Sequence, residues 1–134
     1  MIHHLALTAA SLEASAPFYD RVLSLLGYRR TLAKDTLAVW EGPHPEILLY
    51  QARPEQATAR HETYDPGIHH VAFSAPSRNV VDTVEQEVRR AGGSVLDAAK
   101  EYPDYAPGYY AVFFLDPDRI KLEVVHLPTL HGTQ

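Results

Sequence analysis

The chain has 134 residues, 46% of them hydrophobic, which is the size and composition of one globular domain. Its 12 basic and 17 acidic residues are interspersed and give a formal charge of −5, so no basic patch is present to bind nucleic acid or an anionic membrane surface. The absence of cysteine excludes disulfides, thiolate metal ligands and cysteine nucleophiles, which leaves His, Asp and Glu as possible metal ligands.

The first residues carry no basic leader, and residues 2–8 form a short apolar run without Gly or Pro, which predicts a β-strand. No stretch of the chain approaches the roughly 20 apolar residues that a membrane span requires. We therefore expect a cytoplasmic protein that has neither nucleic acid nor a membrane as its partner.

The next segment predicts an amphipathic helix, because residues 12–26 place apolar side chains at three- and four-residue steps. Ser11 or Ser15 is the expected N-cap, and Pro17, which fits best in a first turn, favours a regular start near Ser15. Gly27 can adopt the left-handed conformation that ends helices. Three strand-length pieces follow, at residues 28–32, 36–40 and 46–51.

The second half of the chain repeats this order. The string IHHLAL at residues 2–7 returns as IHHVAF at residues 68–73, and a second predicted helix begins at Ser77 or Asn79 and closes at a Gly-Gly pair. Strands are then predicted at residues 94–97, 109–115 and 120–126. An internal duplication explains the pattern, within one domain: module 1 at about 1–52, a connector at about 53–66, module 2 at about 67–126 and a tail at 127–134.

Three motifs stand at corresponding places of this duplicated chain: His4 and His70 in the first strand of each module, and Glu123 in the last strand, after an Asp-Pro-Asp turn. In this order they resemble the vicinal oxygen chelate superfamily, which includes glyoxalase I, bleomycin-resistance proteins and extradiol dioxygenases. The resemblance implies an α+β fold of two tandem β-α-β-β-β modules, with a curved mixed sheet around a concave metal site and helices on the outer face. The family commonly has Gly where this turn has Arg119, so slight strain is expected there.

The resemblance implies that His4, His70 and Glu123 bind one divalent metal ion, namely Zn, Ni, Co, Mn or Fe(II). Strand alternation agrees with this choice, because it places the three side chains on the inner face and turns His3 and His69 towards the helix layer. Glu123 is then also the best-placed catalytic base for removing a proton beside a carbonyl.

A fourth ligand is left open. Glyoxalase I uses another carboxylate near the end of its first module, and Glu46 is the candidate here. When the last strands of the two modules are aligned, Leu48 and not Glu46 takes the position equivalent to Glu123. Glu46 could therefore equally be a carboxylate on the protein surface.

The loop from Tyr102 to Tyr110 is rich in Tyr and Pro, a composition typical of the wall of a small-molecule pocket but also of a loop that packs on its own rings. Tyr50, Tyr105, Tyr109 and Tyr110 are the candidate pocket residues. Alternation allows only one of Tyr109 and Tyr110 to face the metal, and Trp40 and Tyr50 are compatible with either core or pocket.

The function implied by the resemblance is glyoxalase-like, metal-dependent isomerase or lyase chemistry on a small oxygenated substrate. Two alternatives are a non-enzymatic binding protein of the bleomycin-resistance type and an Fe(II) extradiol dioxygenase. The resemblance also implies a homodimer, since members with a single pair of modules are often dimers and some exchange modules between chains.

Overall fold

The computed structural model describes residues 1–128, so the last part of the expected tail lies outside the described residues. The chain forms two modules with the same order of elements, which confirms the predicted duplication of β-α-β-β-β. Module 1 contains β1 (His4–Ala9), α1 (Leu12–Leu25), β2 (Arg29–Ala33), β3 (Leu37–Glu41) and β4 (Glu46–Gln51). Module 2 contains β5 (Val71–Ser74), α2 (Arg78–Arg90), β6 (Ser94–Glu101), β7 (Tyr110–Leu115) and β8 (Lys121–His126).

Each module builds its own four-stranded mixed sheet, in the orders β1-β4-β3-β2 and β5-β8-β7-β6. The first and last strands of a module pair in parallel, and the remaining pairs are antiparallel. The expected α+β class and module arrangement are therefore confirmed. The sheet itself differs from the expectation of one curved sheet, because within residues 1–128 β1 and β5 each form a free edge and are not hydrogen-bonded to one another.

The modules are joined through their helices. α1 contacts α2, and Phe18 of α1 packs against Phe114 of β7 with ring centroids 6.1 Å apart. One continuous hydrophobic core runs through both modules and includes Trp40 in the first and the α2 valines in the second. One face of each sheet is thus covered by its helix, and we call the other face of each sheet its open face.

The helix ends follow the local sequence, with one exception. Ser11 caps α1 and Ser77 caps α2, each accepting a hydrogen bond from a backbone N–H in the first turn, and Gly27 ends α1 with a φ of +89°. The predicted start near Ser15 is wrong: the Ser15 N–H already donates to the Ser11 carbonyl at 2.9 Å. Pro17 consequently lies inside the helix, where it leaves one carbonyl without its helical donor.

The Asp-Pro-Asp turn also links the modules. The Tyr19 hydroxyl of α1 donates to Asp116 Oδ2 at 2.6 Å, and Asp118 Oδ2 accepts from the Ala10 N–H at 3.1 Å. Arg119 has a φ of 68°, so it occupies the left-handed position expected of the family's glycine. Among residues 1–128, no helix is long and apolar enough to cross a membrane.

Candidate metal and substrate site

The open faces carry the predicted histidines. In β1 the side chains of His4, Ala6 and Thr8 are exposed, while Leu7 and Ala9 between them are buried beneath the helix. The same alternation holds in β5, where Ala72 and Ser74 are exposed and Phe73 is buried, and His70 precedes this strand on the exposed side.

Two of the three predicted metal ligands lie together. Glu123 projects from β8 onto the open face of module 2, where its Oε1 lies 3.2 Å from His70 Nε2. The carboxylate is only 2% exposed. Its Oε2 accepts a hydrogen bond from the Tyr109 hydroxyl. Burial first, and then this hydrogen bond, raise the pKa of Tyr109, so the phenol remains a donor at neutral pH.

The third predicted ligand lies elsewhere in the chain. His4 is on the module 1 sheet, in register with Glu46 on β4, and its Nδ1 is 2.9 Å from His3 Nδ1. Within residues 1–128 no three His, Asp or Glu side chains are grouped closely enough to hold a metal ion. A single chain therefore brings His70 and Glu123 together but does not bring His4 or Glu46 to them, because the two sheets are separate.

His3 and His69 do not face the helix layer as alternation predicted. Both are exposed, because the regular strands begin only at His4 and Val71 and alternation does not extend before them. His69 instead places its Nδ1 2.7 Å from His70 Nδ1 and packs edge-on against Tyr64, with centroids 4.9 Å apart.

An aromatic wall stands beside Glu123. It consists of Tyr102, Tyr105, Tyr109 and Phe113. Tyr102 and Tyr105 stack with centroids 5.3 Å apart, and Tyr102 meets Phe113 at 5.5 Å and Tyr109 at 6.5 Å, both with the rings nearly perpendicular. The wall thus shields Glu123 from water while leaving Tyr105 63% exposed, where a ligand ring could pack against it.

The structure distinguishes the remaining aromatic candidates. Tyr109 faces Glu123, whereas Tyr110 lies on the helix side, where its hydroxyl donates to Asp82 Oδ1 at 2.6 Å. Trp40 is a core residue at 1% exposure, whereas Tyr50 is 43% exposed on the open face of module 1. The pKa of Tyr109 is raised chiefly by burial and that of Tyr110 chiefly by its hydrogen bond to Asp82, but of these two residues only Tyr109 belongs to the wall.

Comparison with known proteins agrees with this architecture. The family model for the Glyoxalase/Bleomycin resistance protein/Dioxygenase superfamily matches residues 1–124. The chain belongs to this superfamily. It is 32% identical over 124 residues to the uncharacterized protein YqjT of Bacillus subtilis (strain 168), covering 92% of this chain and 97% of that protein.

Solved structures of superfamily members share the fold. A proposed glyoxalase from Bacillus halodurans is 30% identical to this chain and superimposes with a TM-score of 0.81. The match covers 95% of this chain and 96% of the Bacillus halodurans chain. Lactoylglutathione lyase from Agrobacterium tumefaciens is 23% identical with a TM-score of 0.64, covering 99% of this chain and 97% of its own. At that identity the second likeness establishes the fold alone.

Sequence reasoning missed Phe113 of this superfamily member's site, and it named Tyr102 only as the first residue of the aromatic loop. Phe113 pairs directly with Glu123 across β7 and β8, and the Tyr102 hydroxyl is buried without a hydrogen-bond partner. Pairing β7 with β8 across the Asp-Pro-Asp turn would have placed Phe113 opposite Glu123. Nothing in the sequence signals an unpartnered hydroxyl, because that depends on the packing of the loop.

Proposed function

We propose that this superfamily member is a metal-dependent enzyme acting on a small oxygenated substrate by isomerase or lyase chemistry, with His70 and Glu123 as two ligands of one divalent cation. The observation that carries this proposal is the 3.2 Å separation of His70 Nε2 and Glu123 Oε1. Nitrogen and oxygen donors bind Zn²⁺ at about 2.0–2.2 Å, which places two donors of one tetrahedral ion about 3.3–3.6 Å from each other, close to the separation found here. The pair therefore fits a shared cation.

His4 is proposed as the third ligand, supplied by a second copy of the chain in a homodimer, with Glu46 as the candidate fourth ligand. Both side chains lie on the open face of module 1, and His4 is exposed. In the described part of one chain the edges of β1 and β5 are free, so each is available to an equivalent edge of the other copy. A site shared in this way explains why the ligands of one chain are divided between its modules.

The metal would supply Lewis-acid stabilisation to a substrate oxygen as negative charge develops. The chain's own residues would do the rest. Glu123 would accept the proton from the carbon beside the substrate carbonyl at Oε1, provided that this oxygen is released from the cation when the substrate binds. The burial of Glu123 beside the aromatic wall would exclude competing water. Tyr109, which donates to Oε2, holds the carboxylate so that Oε1 remains directed towards His70.

The test is metal binding by the purified full chain. We expect the metal-stripped protein to bind Ni, Co, Mn or Zn in a calorimetric titration, and His70→Ala and Glu123→Gln to weaken that binding by at least about tenfold, since each removes one direct ligand. His126→Gln is the matched control. His126 lies on the same strand as Glu123 but makes its hydrogen bond to the Ala75 carbonyl, at 3.0 Å. A wild-type protein that binds none of these cations would overturn the proposal.

The aromatic wall favours a second candidate function, the sequestration of an aromatic ligand without chemistry. Four rings packed around one buried carboxylate offer apolar area whether or not a metal is present. This alternative predicts that His4→Ala and His70→Ala leave the affinity for the ligand unchanged, whereas the metal-dependent enzyme requires both side chains.

A further inference from the structure

Two of the three lysines in the chain lie beside the candidate site. Lys121 precedes Glu123 by two residues on β8 and therefore shares its open face. Its Nζ lies 5.0 Å from the centroid of the Phe113 ring, and Lys100 Nζ lies 5.0 Å from the centroid of Tyr102. Because Tyr102 and Phe113 contact each other, the two ammonium groups flank one continuous aromatic surface.

Within residues 1–128, neither ammonium forms an ion pair with a carboxylate. The ion pairs found in residues 1–128 all use arginine or His70 as the cation. An aromatic ring that packs against an ammonium group fixes the position of the ammonium but does not neutralise the positive charge. In a chain with a net charge of −5, this pair is a local positive feature in an otherwise acidic molecule.

A third donor belongs to the Tyr102 ring that Lys100 contacts. The Tyr102 hydroxyl is buried and has no hydrogen-bond partner among residues 1–128, although buried polar groups are nearly always paired. Two carboxylates oppose them on this face: the exposed Asp97, which is in register with Phe113, and the buried Glu123. Burial first, and then the charges of Asp97 and Glu123, raise the pKa of Tyr102. The two lysines and the exposed Asp97 carboxylate can therefore be varied separately.

We propose that Lys100 and Lys121 bind an anionic group of the substrate, a carboxylate or a phosphate, while its apolar part packs on the aromatic wall. The substrate class is thus a small anion with an apolar, preferably planar, body. This inference rests on the proposed function in taking the open face of module 2 as the substrate site, but it does not require a metal to be bound.

The experiment uses the metal-stripped full chain and three probes of similar shape: benzoate, phenyl phosphate and the uncharged benzamide. Binding is followed by NMR titration at millimolar concentrations. We expect at least one anion to bind about tenfold more tightly than benzamide, because charge-assisted hydrogen bonds exceed neutral ones. Whichever anion binds more tightly identifies the group that the lysines accept.

Variants assign the preference to the lysines. Lys100→Gln and Lys121→Gln should each weaken binding of the preferred anion by about fivefold to tenfold. Lys34→Gln, in the turn before β3, is the matched control and should change it by less than about twofold. Asp97→Asn removes a negative charge from this face and should strengthen anion binding. Lys121→Arg keeps the positive charge and should retain anion binding.

The proposal is overturned if no anion binds more tightly than benzamide, if none of the probes binds, or if Lys34→Gln weakens binding as much as the other two variants. Should a glutamine variant fail to fold, the wild-type protein still decides, because anion binding must weaken with added salt while benzamide binding does not. Anion preference without metal affinity would contradict the proposed metal enzyme alone, and metal affinity without anion preference would contradict this inference alone.

Discussion

The division of ligands between modules leads to a complementation prediction. His4→Ala alone removes one ligand from every proposed site, and so does His70→Ala alone. In a mixed dimer of the two variants, module 1 of the His70→Ala chain would meet module 2 of the His4→Ala chain. That site would contain every native ligand, while the other site of the same dimer would lack both histidines.

The expected magnitude follows from counting sites. Random assortment makes about half of the dimers mixed, and each mixed dimer has one intact site of two, so metal capacity should recover to about one quarter of the wild-type value. Dimers purified through two different affinity tags, one on each variant chain, should contain about half the wild-type metal. Metal content by mass spectrometry, measured after co-expression, provides the assay.

The matched control mixes His70→Ala with Glu123→Gln. Both residues belong to module 2 and lie 3.2 Å apart in the same chain, so neither site of this mixed dimer is intact and no recovery is expected. If the first pair also shows no recovery while both single variants have lost metal, the site is formed within one chain and the shared-site reasoning is refuted. If the His4→Ala variant alone binds normally, His4 is not a ligand.

Three further predictions concern the stability of the fold and the site. Arg119→Gly should raise the free energy of urea unfolding by up to about 1 kcal/mol by relieving a left-handed residue at φ 68°; a decrease would mean that its ion pair with Glu62 outweighs the strain. Tyr109→Phe, measured the same way, should cost about 1–2 kcal/mol because a buried carboxylate oxygen loses its donor, whereas Tyr105→Phe should cost little. The free energy of unfolding should fall as pH rises above 10.0, the ordinary tyrosine pKa. Burial, and then the Asp116 carboxylate, raise the pKa of Tyr19 in the folded state, so the folded chain keeps a proton that the unfolded chain releases. Tyr19 should contribute about 1.4 kcal/mol per pH unit to this slope, beside the other tyrosines whose pKa is raised. The slope should therefore be shallower by about that amount in Tyr19→Phe, and an unchanged slope would contradict the prediction.

Much of the fold follows from local signals that the sequence contains twice. The repeated strings fixed the order of elements, and alternation placed His4 and Glu123 on open faces, because both lie within regular strands. Alternation failed for His3 and His69, which precede the strands and are not bound by their geometry. The arrangement of the sheets could not be predicted either, since it depends on long-range packing such as that of Phe18 on Phe114.

The distinction between Tyr109 and Tyr110 shows where local rules stop and packing decides. Adjacent residues must point to opposite sides, but which side each takes depends on partners far away in sequence: Glu123 for one hydroxyl and Asp82 for the other. Each tyrosine therefore anchors the same strand start from a different face. Because Tyr109 occupies Oε2 of Glu123, a cation at His70 is expected to engage this carboxylate through Oε1 alone. Binding through one oxygen leaves coordination positions of the cation free for a substrate. Catalysis requires such free positions, whereas a closed structural site has none.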